Sequence, residues 1–455
     1  MCEYRSSMSR GRGHEVDRVN DVNPSVFAAD FKETPYWWDA APPDVVEPAP
    51  PPPRADVAIV GAGITGLNAA LVLARAGRNV VVLDAGDLGH GASTRNAGYV
   101  GRSLKHSFGE LMARHGAAYA VAVYREMQAA FDSVVARVRD EEIACGFKIC
   151  GRLVLAKAKR QYDDLARELE LRKTHLGSDF TMLPRSSVRD EIASDLYCGA
   201  ALIPDLGAIH PGLYHRGLRE RAAAAGAILI GRTPVERIAP VAGGGFDVAT
   251  SQGTTRARDV LVATNGYSGS LWPWLRRRLI PFDAYMIATE PLAPALMNRL
   301  LPTDRTYIDH VHDIISMRRS PDGTRILFLW RTGTRPTGAR DKGAQLWADA
   351  ARIVPEIATL KISHSWTGRC AGTFDLWPHI VRHDGIHFAG GYCFAGVPMG
   401  TYLGAKAAHR ILGNADGATV FADRGFPTMP FYAGNPWFVP AVMRYYALRD
   451  RWASR

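Results

Sequence analysis

From residue 55 the apolar positions form two kinds of stretch: short unbroken runs, and longer segments in which they recur every three or four residues. Residues 55–85, ADVAIVGAGITGLNAALVLARAGRNVVVLDA, read as a buried strand, a glycine turn, an apolar helix and a second buried strand, a βαβ unit. Further strands are predicted over Gly151–Lys157, around Tyr285, over Arg325–Arg331 and in DVLVATNG, residues 259–266. Residues 212–231, GLYHRGLRERAAAAGAILIG, read as a helix running into a strand, and helices are expected over Gln161–Leu171 and Gly400–Leu412. Pieces of a parallel, βαβ-type sheet therefore alternate with pieces of a more antiparallel one, and 455 residues are enough for two cores. The expected division is one domain from 55–110, 205–275 and 365–420, a second from 111–204 and 276–364, a Pro-rich arm over 1–54 and a tail over 421–455. Within the arm PYWWD, Pro35–Asp39, is too aromatic to float and is expected to pack on the body.

The glycines Gly61, Gly63 and Gly66 form GxGxxG between the first strand and the first helix. The first allows a tight turn, the second lets backbone approach a pyrophosphate, and the third lets helix and strand pack closely. A pyrophosphate there meets the free amides and positive dipole end of the helix, with Ile64 and Thr65 in its first turn. Asp84, followed by Ala85, ends the second strand about twenty residues on and can accept from a ribose hydroxyl. The unit predicts dinucleotide binding, and Asp84 disfavours a ribose phosphate; NAD and FAD are not separated by it.

Composition narrows the class further. Hydrophobic residues at 47% and charged residues at 22% are those of a globular protein, and no apolar run is long enough for a membrane span. The net charge of +10 is scattered, with short clusters at Arg276–Arg278 and at Arg444, Arg449 and Arg451, and no nucleic-acid module is recognisable. The first residues lack the apolar core of a secretory signal, and Cys2, Cys145, Cys150, Cys198, Cys370 and Cys393 show neither CxxC nor zinc spacing, which predicts a reduced, cytoplasmic setting. Among the 14 histidines, His310 with His312 and the loosely spaced His379, His383 and His387 give no metal motif, so no metal is expected.

Three more segments separate the dinucleotides. GHGASTRNAG (Gly89–Gly98), DVLVATNGYS (Asp259–Ser268) and IHFAGGYCFAGVPMGTYLGAKAAHRIL near the end resemble, in order and spacing, landmarks of the D-amino-acid oxidase superfamily, especially its glycine oxidase, sarcosine oxidase and γ-glutamylputrescine oxidase branch. The resemblance runs from about residue 35 to the end. It implies an α/β fold with a Rossmann-like FAD-binding domain (glutathione-reductase-type, D-amino-acid oxidase-like) formed by the first set of segments, and a mostly antiparallel substrate domain formed by the second. It further implies that Ala92, Ser93 and Thr94 meet the pyrophosphate or ribityl chain, that Arg95, Asn96 and Ala97 approach the flavin ring, and that Val235 serves the adenine side. Thr264 and Gly266 close against FAD, while Gly391, Ala395, Gly396 and Val397 lie under the flavin pyrimidine, with Pro398 opening the last helix.

The implied chemistry is FAD-dependent amine oxidation with a small-molecule amine as substrate and O2 or another electron acceptor; assembly as a homo-oligomer stays open. Such chemistry relies on positioning, so the lack of a Ser/His/Asp set does not count against an enzyme. Tyr285, Trp330, Arg331 and Tyr392 are the expected substrate contacts: Arg331 for a carboxylate, the aromatics as a cage for an alkyl amine. Because Trp330 and Arg331 are neighbours in a strand, they point to opposite faces. Phe328 stands where sarcosine oxidases carry an oxygen-activating lysine, and Pro398 replaces their carboxylate-binding lysine. Cys370 falls about two residues from a position used for covalent flavin, so noncovalent FAD is expected. The alternatives are a D-amino-acid or glycine-type primary amine oxidase and a flavin-binding subunit of a heteromeric dehydrogenase.

Overall fold

The computed structural model describes residues 26–310, 315–334 and 337–453; the side chains of Arg331, Arg449 and Arg451, and all of His312 and residues 1–25, lie outside the described residues. The βαβ unit forms as read: strand Arg54–Val60, helix Ile64–Arg75 and strand Val80–Leu83, with the two strands parallel. Ile228–Ile230 extends this sheet beside Val80–Leu83, while Gly253–Val262 lies parallel on the other side of Arg54–Val60 and is followed by Ile386–Gly390. The central parallel strands of this eight-stranded sheet, Val57–Val60, Val80–Leu83 and Val260–Val262, are near-continuous apolar runs because both of their faces are covered.

A nine-stranded, mostly antiparallel sheet forms the second layer, with Leu279–Thr289 between Ile362–Thr373 and Ile326–Gly333. Residues 365–373, expected with the nucleotide sheet, pair here instead, since the long strand Ile362–Thr373 hydrogen-bonds along nearly its whole length to Leu279–Thr289. One face of this sheet, with Tyr285, Ile287, Phe328 and Trp330, packs under helix Ala339–Ile353 as a separate core. The opposite face, with Met286, Leu327, Leu329 and Trp366, meets Trp37 of the arm. The arm is thus built into the body: Phe27–Lys32 adds an edge strand parallel to Ile362–Thr373. Among the described residues no helix is long and apolar enough to cross a membrane.

Helix Pro211–Ala224 begins on His210, whose Nδ1 accepts the Leu213 amide at 3.1 Å, and the ring packs edge-on to Trp37. Burial pushes the His210 pKa down to about 4, and does the same to His387. A depressed histidine pKa means that the unfolded chain takes up protons first, so its stabilisation is complete above about pH 6.5 and is lost as pH falls toward 4. Each site corresponds to roughly 3 kcal/mol by this linkage. Thermal melts from pH 7 to pH 4 should fall steeply, and His210→Asn, which keeps a capping acceptor without a titrating ring, should flatten that fall. An unchanged acid slope in His210→Asn would remove His210 from the account.

Candidate functional site

The glycine turn, the loop after the second strand and the last glycine-rich turn converge on one cavity of about 1850 Å³. Ligand pockets ordinarily measure about 300–1,000 Å³, so this one has room for a dinucleotide and a second molecule. Gly61, Gly63, Ile64, Thr65, Asp84, Ala85, Ala92, Ser93, Arg95, Asn96, Ala97, Val235, Thr264, Ala395, Gly396 and Val397 all line it. Gly66, Thr94, Gly266 and Gly391 sit behind that lining and shape it. A Cβ on Gly66 would lie 2.0 Å from the Gly61 carbonyl oxygen, and one on Gly266 would lie 2.5 Å from the Cys370 carbonyl oxygen, so both glycines serve close packing.

Each part of the cradle is held by backbone. The Asp84 carboxylate accepts from the Ala62 amide at 2.8 Å and from the Gly86 amide at 2.9 Å, which aims it across the mouth of the glycine turn. The buried His215 contacts the Ala62 carbonyl at 2.7 Å through Nε2 from beneath. Ser93 Oγ accepts the Ile64 amide at 3.0 Å, linking the following loop to the helix N-terminus. Asn96 holds its own loop, with Nδ2 donating to the carbonyls of Ala92 and Ser93 and Oδ1 accepting from Gly98. Asn265 Oδ1 accepts the Gly391 amide at 2.9 Å and ties the third and fourth segments together. Helix Gly396–Leu412 packs closely on helix Ile64–Arg75 through Gly400 and Gly404, and the N-termini of both helices reach the cavity. Two positive dipole ends on one cavity favour an anionic occupant.

Three indoles secure the loop that carries Arg95. Trp38 Nε1 donates to Thr94 Oγ1, Trp366 Nε1 to the Arg95 carbonyl and Trp37 Nε1 to the Asn96 carbonyl, each at 2.9 Å. The Arg95 guanidinium stacks on Trp38 at 4.5 Å and donates to the carbonyls of His90 and Thr367, and burial lowers its pKa. PYWWD was expected to pack on the body; its point of attachment, the cavity-lining loop Thr94–Asn96, was not legible without knowing that Ile362–Thr373 runs beside it.

The expected substrate contacts separate. Tyr285 lines the cavity as expected, but it is almost wholly buried, its hydroxyl accepts the Thr337 amide at 3.3 Å, and with Trp330 it belongs to the core under helix Ala339–Ile353. Trp330 is not among the cavity-lining residues; Leu329 and Met286, on the face toward the loop that carries Arg95, are. Tyr392 lines the cavity, but its hydroxyl is spent on Thr65 Oγ1 at 2.7 Å. Phe328 is buried in the second core, away from the lining. The turn before the last helix is strained: Cys393 and Phe394 have φ of 47° and 80°, conformations that cost L-residues about 1–3 kcal/mol each and that collect at functional sites. Sequence reading overlooked a basic lobe beyond Tyr99, lined by Lys105 and Arg152; the signal was an arginine opening the otherwise apolar strand GRLVLA.

Comparison with known proteins agrees with this geometry. The model of the DAO family, described as FAD dependent oxidoreductase, matches residues 56–410. The chain is 30% identical over 412 residues to gamma-glutamylputrescine oxidoreductase of Escherichia coli K12, covering 87% of this chain and 93% of the relative. It is 28% identical over 388 residues to the probable oxidoreductase OrdL of Haemophilus influenzae, covering 84% and 88%. The glycine oxidase structure from Geobacillus kaustophilus superposes with a TM-score of 0.68 at 23% identity, covering 83% of this chain and 99% of that one.

Proposed function

The chain belongs to the FAD dependent oxidoreductase family, and from that premise we propose that it oxidises the C–N bond of a secondary amine or N-substituted amino compound of the γ-glutamylputrescine type. FAD, when bound, supplies a two-electron acceptor that can take a hydride from the carbon next to nitrogen. The protein's part is to hold a neutral amine, exclude water during the transfer and then release an imine, which adds water to give a carbonyl compound and an amine. The observation that carries the reading is the continuity of the dinucleotide trough with a further lobe inside one cavity of about 1850 Å³. The glycine turn, Asp84, Ser93, the Arg95–Ala97 stretch, Val235 and the turn at Ala395–Val397 hold FAD in this reading.

FAD is held noncovalently. Cys370 lines the cavity, but burial first, then Asp283 and Cys393, push its thiol up to about 12, far from the thiolate needed to attack a flavin. The thiols of Cys145, Cys150, Cys198, Cys370 and Cys393 are free, in keeping with a cytoplasmic setting. Either O2 or another acceptor completes the cycle.

Anaerobic addition of an amine panel to the yellow holoprotein tests the reaction without assuming oxygen as acceptor. Secondary and N-substituted amines should bleach the flavin fastest, and acid should then release the colour from the polypeptide. Faster bleaching by glycine or D-amino acids would move the assignment to the primary-amine branch. Failure of every amine until a partner chain is added would make this a flavin-binding subunit.

A further inference from the structure

Beyond Ala97 the cavity wall continues through Tyr99, Gly101, Ser103 and Lys105 to Arg152, the first residue of strand Arg152–Ala156. Arg152 is only 5% exposed, yet it faces this lobe. Its guanidinium sits under Gly101, where an added Cβ would come within 2.6–2.8 Å of both terminal nitrogens, and 5.2 Å from the Tyr99 ring. Its hydrogen bonds go to neutral hydroxyls alone: Nε to Thr306 Oγ1 at 3.3 Å and Nη1 to Ser103 Oγ at 3.2 Å. Among the described residues it has no carboxylate partner, and the nearby Arg102 adds repulsion.

Three acids on the elements around Arg152 are already engaged, and the lining acid Asp179 is exposed. Asp309, on the strand beside Arg152, is paired with Lys157 at 2.5 Å and accepts from the Tyr197 hydroxyl at 2.8 Å. Glu168 is paired with Arg172 at 2.7 Å and accepts from the amides of Phe108 and Gly109. Asp205 forms a bidentate pair with Arg102. A buried guanidinium is costly unless paired, and a cavity-facing one without an internal counter-charge is completed by an anion from outside.

We propose that Arg152 seats a carboxylate at the end of the substrate distal to the oxidised nitrogen. The inference rests on the reading of the chain as an amine oxidoreductase. Past the bend at Gly98 (φ 70°) the two extended residues Tyr99–Val100 span about 7 Å at about 3.3 Å per residue, so Arg152 under Gly101 stands well beyond Ala97 along the wall. That spacing suits an extended amine with a terminal carboxylate rather than an α-amino acid, whose charged groups share one carbon. Planar, bidentate carboxylate recognition is what a guanidinium provides and an ammonium does not.

The holoenzyme with oxidised FAD is first titrated with glutarate and with neutral glutaramide, reading the flavin absorption change and the melting temperature, neither of which needs turnover. Glutarate should bind and stabilise, glutaramide should not, and Arg152→Gln should weaken glutarate by roughly tenfold to a hundredfold, with Arg152→Lys between them. Anaerobic flavin reduction then compares 5-aminopentanoate with pentylamine, each also as its N-methyl derivative, and with O-phosphoethanolamine. The wild type should saturate at lower concentration with the carboxylated amines, and Arg152→Gln should erase that preference. Equal binding of glutarate and glutaramide, or a preference that survives in both Arg152 variants, overturns the carboxylate seat. Saturation lowest with O-phosphoethanolamine replaces carboxylate by phosphate and overturns it likewise. If no amine reduces the flavin while Arg152-dependent glutarate binding persists, the amine reading fails and the anion seat stands.

Discussion

Gly66→Ala is expected to lose both FAD and the wild-type melting temperature, whereas Gly63→Val is expected to fold normally and purify with little flavin. The two glycines are three residues apart in one turn, but they meet different neighbours. A methyl group on Gly66 would sit 2.0 Å from the Gly61 carbonyl oxygen and 3.2 Å from the Ile59 side chain, so strand, turn and helix must all move apart. At Gly63 the backbone is extended (φ −81°, ψ −177°), a conformation open to any residue, and the near neighbour of an added Cβ is Ser93 Oγ at 2.9 Å, the end of a side chain that can turn away. The valine methyls therefore occupy the space where a pyrophosphate approaches without disturbing the empty fold. Overpacking of about 1–3 kcal/mol corresponds to roughly five- to hundredfold weaker cofactor binding. Circular dichroism, thermal melts and the flavin-to-protein absorbance ratio separate the cases. A fully loaded Gly63→Val protein would remove this turn from the cofactor site, and a Gly66→Ala protein that melts like the wild type would show that the turn yields cheaply.

The second large effect is expected at Trp37. Its side chain is wholly buried between the nine-stranded sheet and the cofactor loop, against Met286, Leu327, Leu329 and Trp366. Trp37→Ala leaves a large cavity and should cost about 3–5 kcal/mol, and it also leaves the Asn96 carbonyl without its indole donor. Trp37→Phe keeps most of the packing and loses the donor, at about 1–3 kcal/mol. Both should raise the FAD dissociation constant, alanine more than phenylalanine, and Trp38→Phe should have the smallest effect because its partner is a threonine hydroxyl that can bond elsewhere. Denaturant midpoints measured with and without added FAD give both quantities. An FAD affinity in Trp37→Ala within twofold of wild type would reduce the arm to a structural strap.

Much of the cavity's lining was legible in the chain because its signals are local. The tight turn, the helix after it and the acid at the end of the second strand follow one another within residues 55–85, and each obeys a short-range steric or electrostatic requirement. The division of the second domain was less legible. Residues 365–373 were expected with the 365–420 piece of the first domain, yet their hydrogen bonds belong to Leu279–Thr289, and long-range pairing leaves no periodic trace. Alternation was read for Trp330 and Arg331, and the side chain of the latter lies outside the described residues; it does not say which neighbour meets the cavity, and Leu329 does while Trp330 does not. Arg152 escaped notice for the opposite reason, since one arginine at the head of an apolar strand looks like a strand end until the cavity in front of it is seen.

The latch of three indoles also fixes an order of assembly. Trp37 and Trp38 leave the ribosome more than 320 residues before the third donor, Trp366, and the strand Ile362–Thr373 that the arm pairs with. Folding during synthesis proceeds from the N-terminus. The arm must therefore wait, undocked, while the βαβ unit and most of the second sheet form around it, and the loop from Thr94 to Asn96 gains its full set of donors only once Trp366 has been made. Nascent chains stalled before residue 362 would carry the glycine turn without the closed loop, and stable flavin capture is expected only after that point.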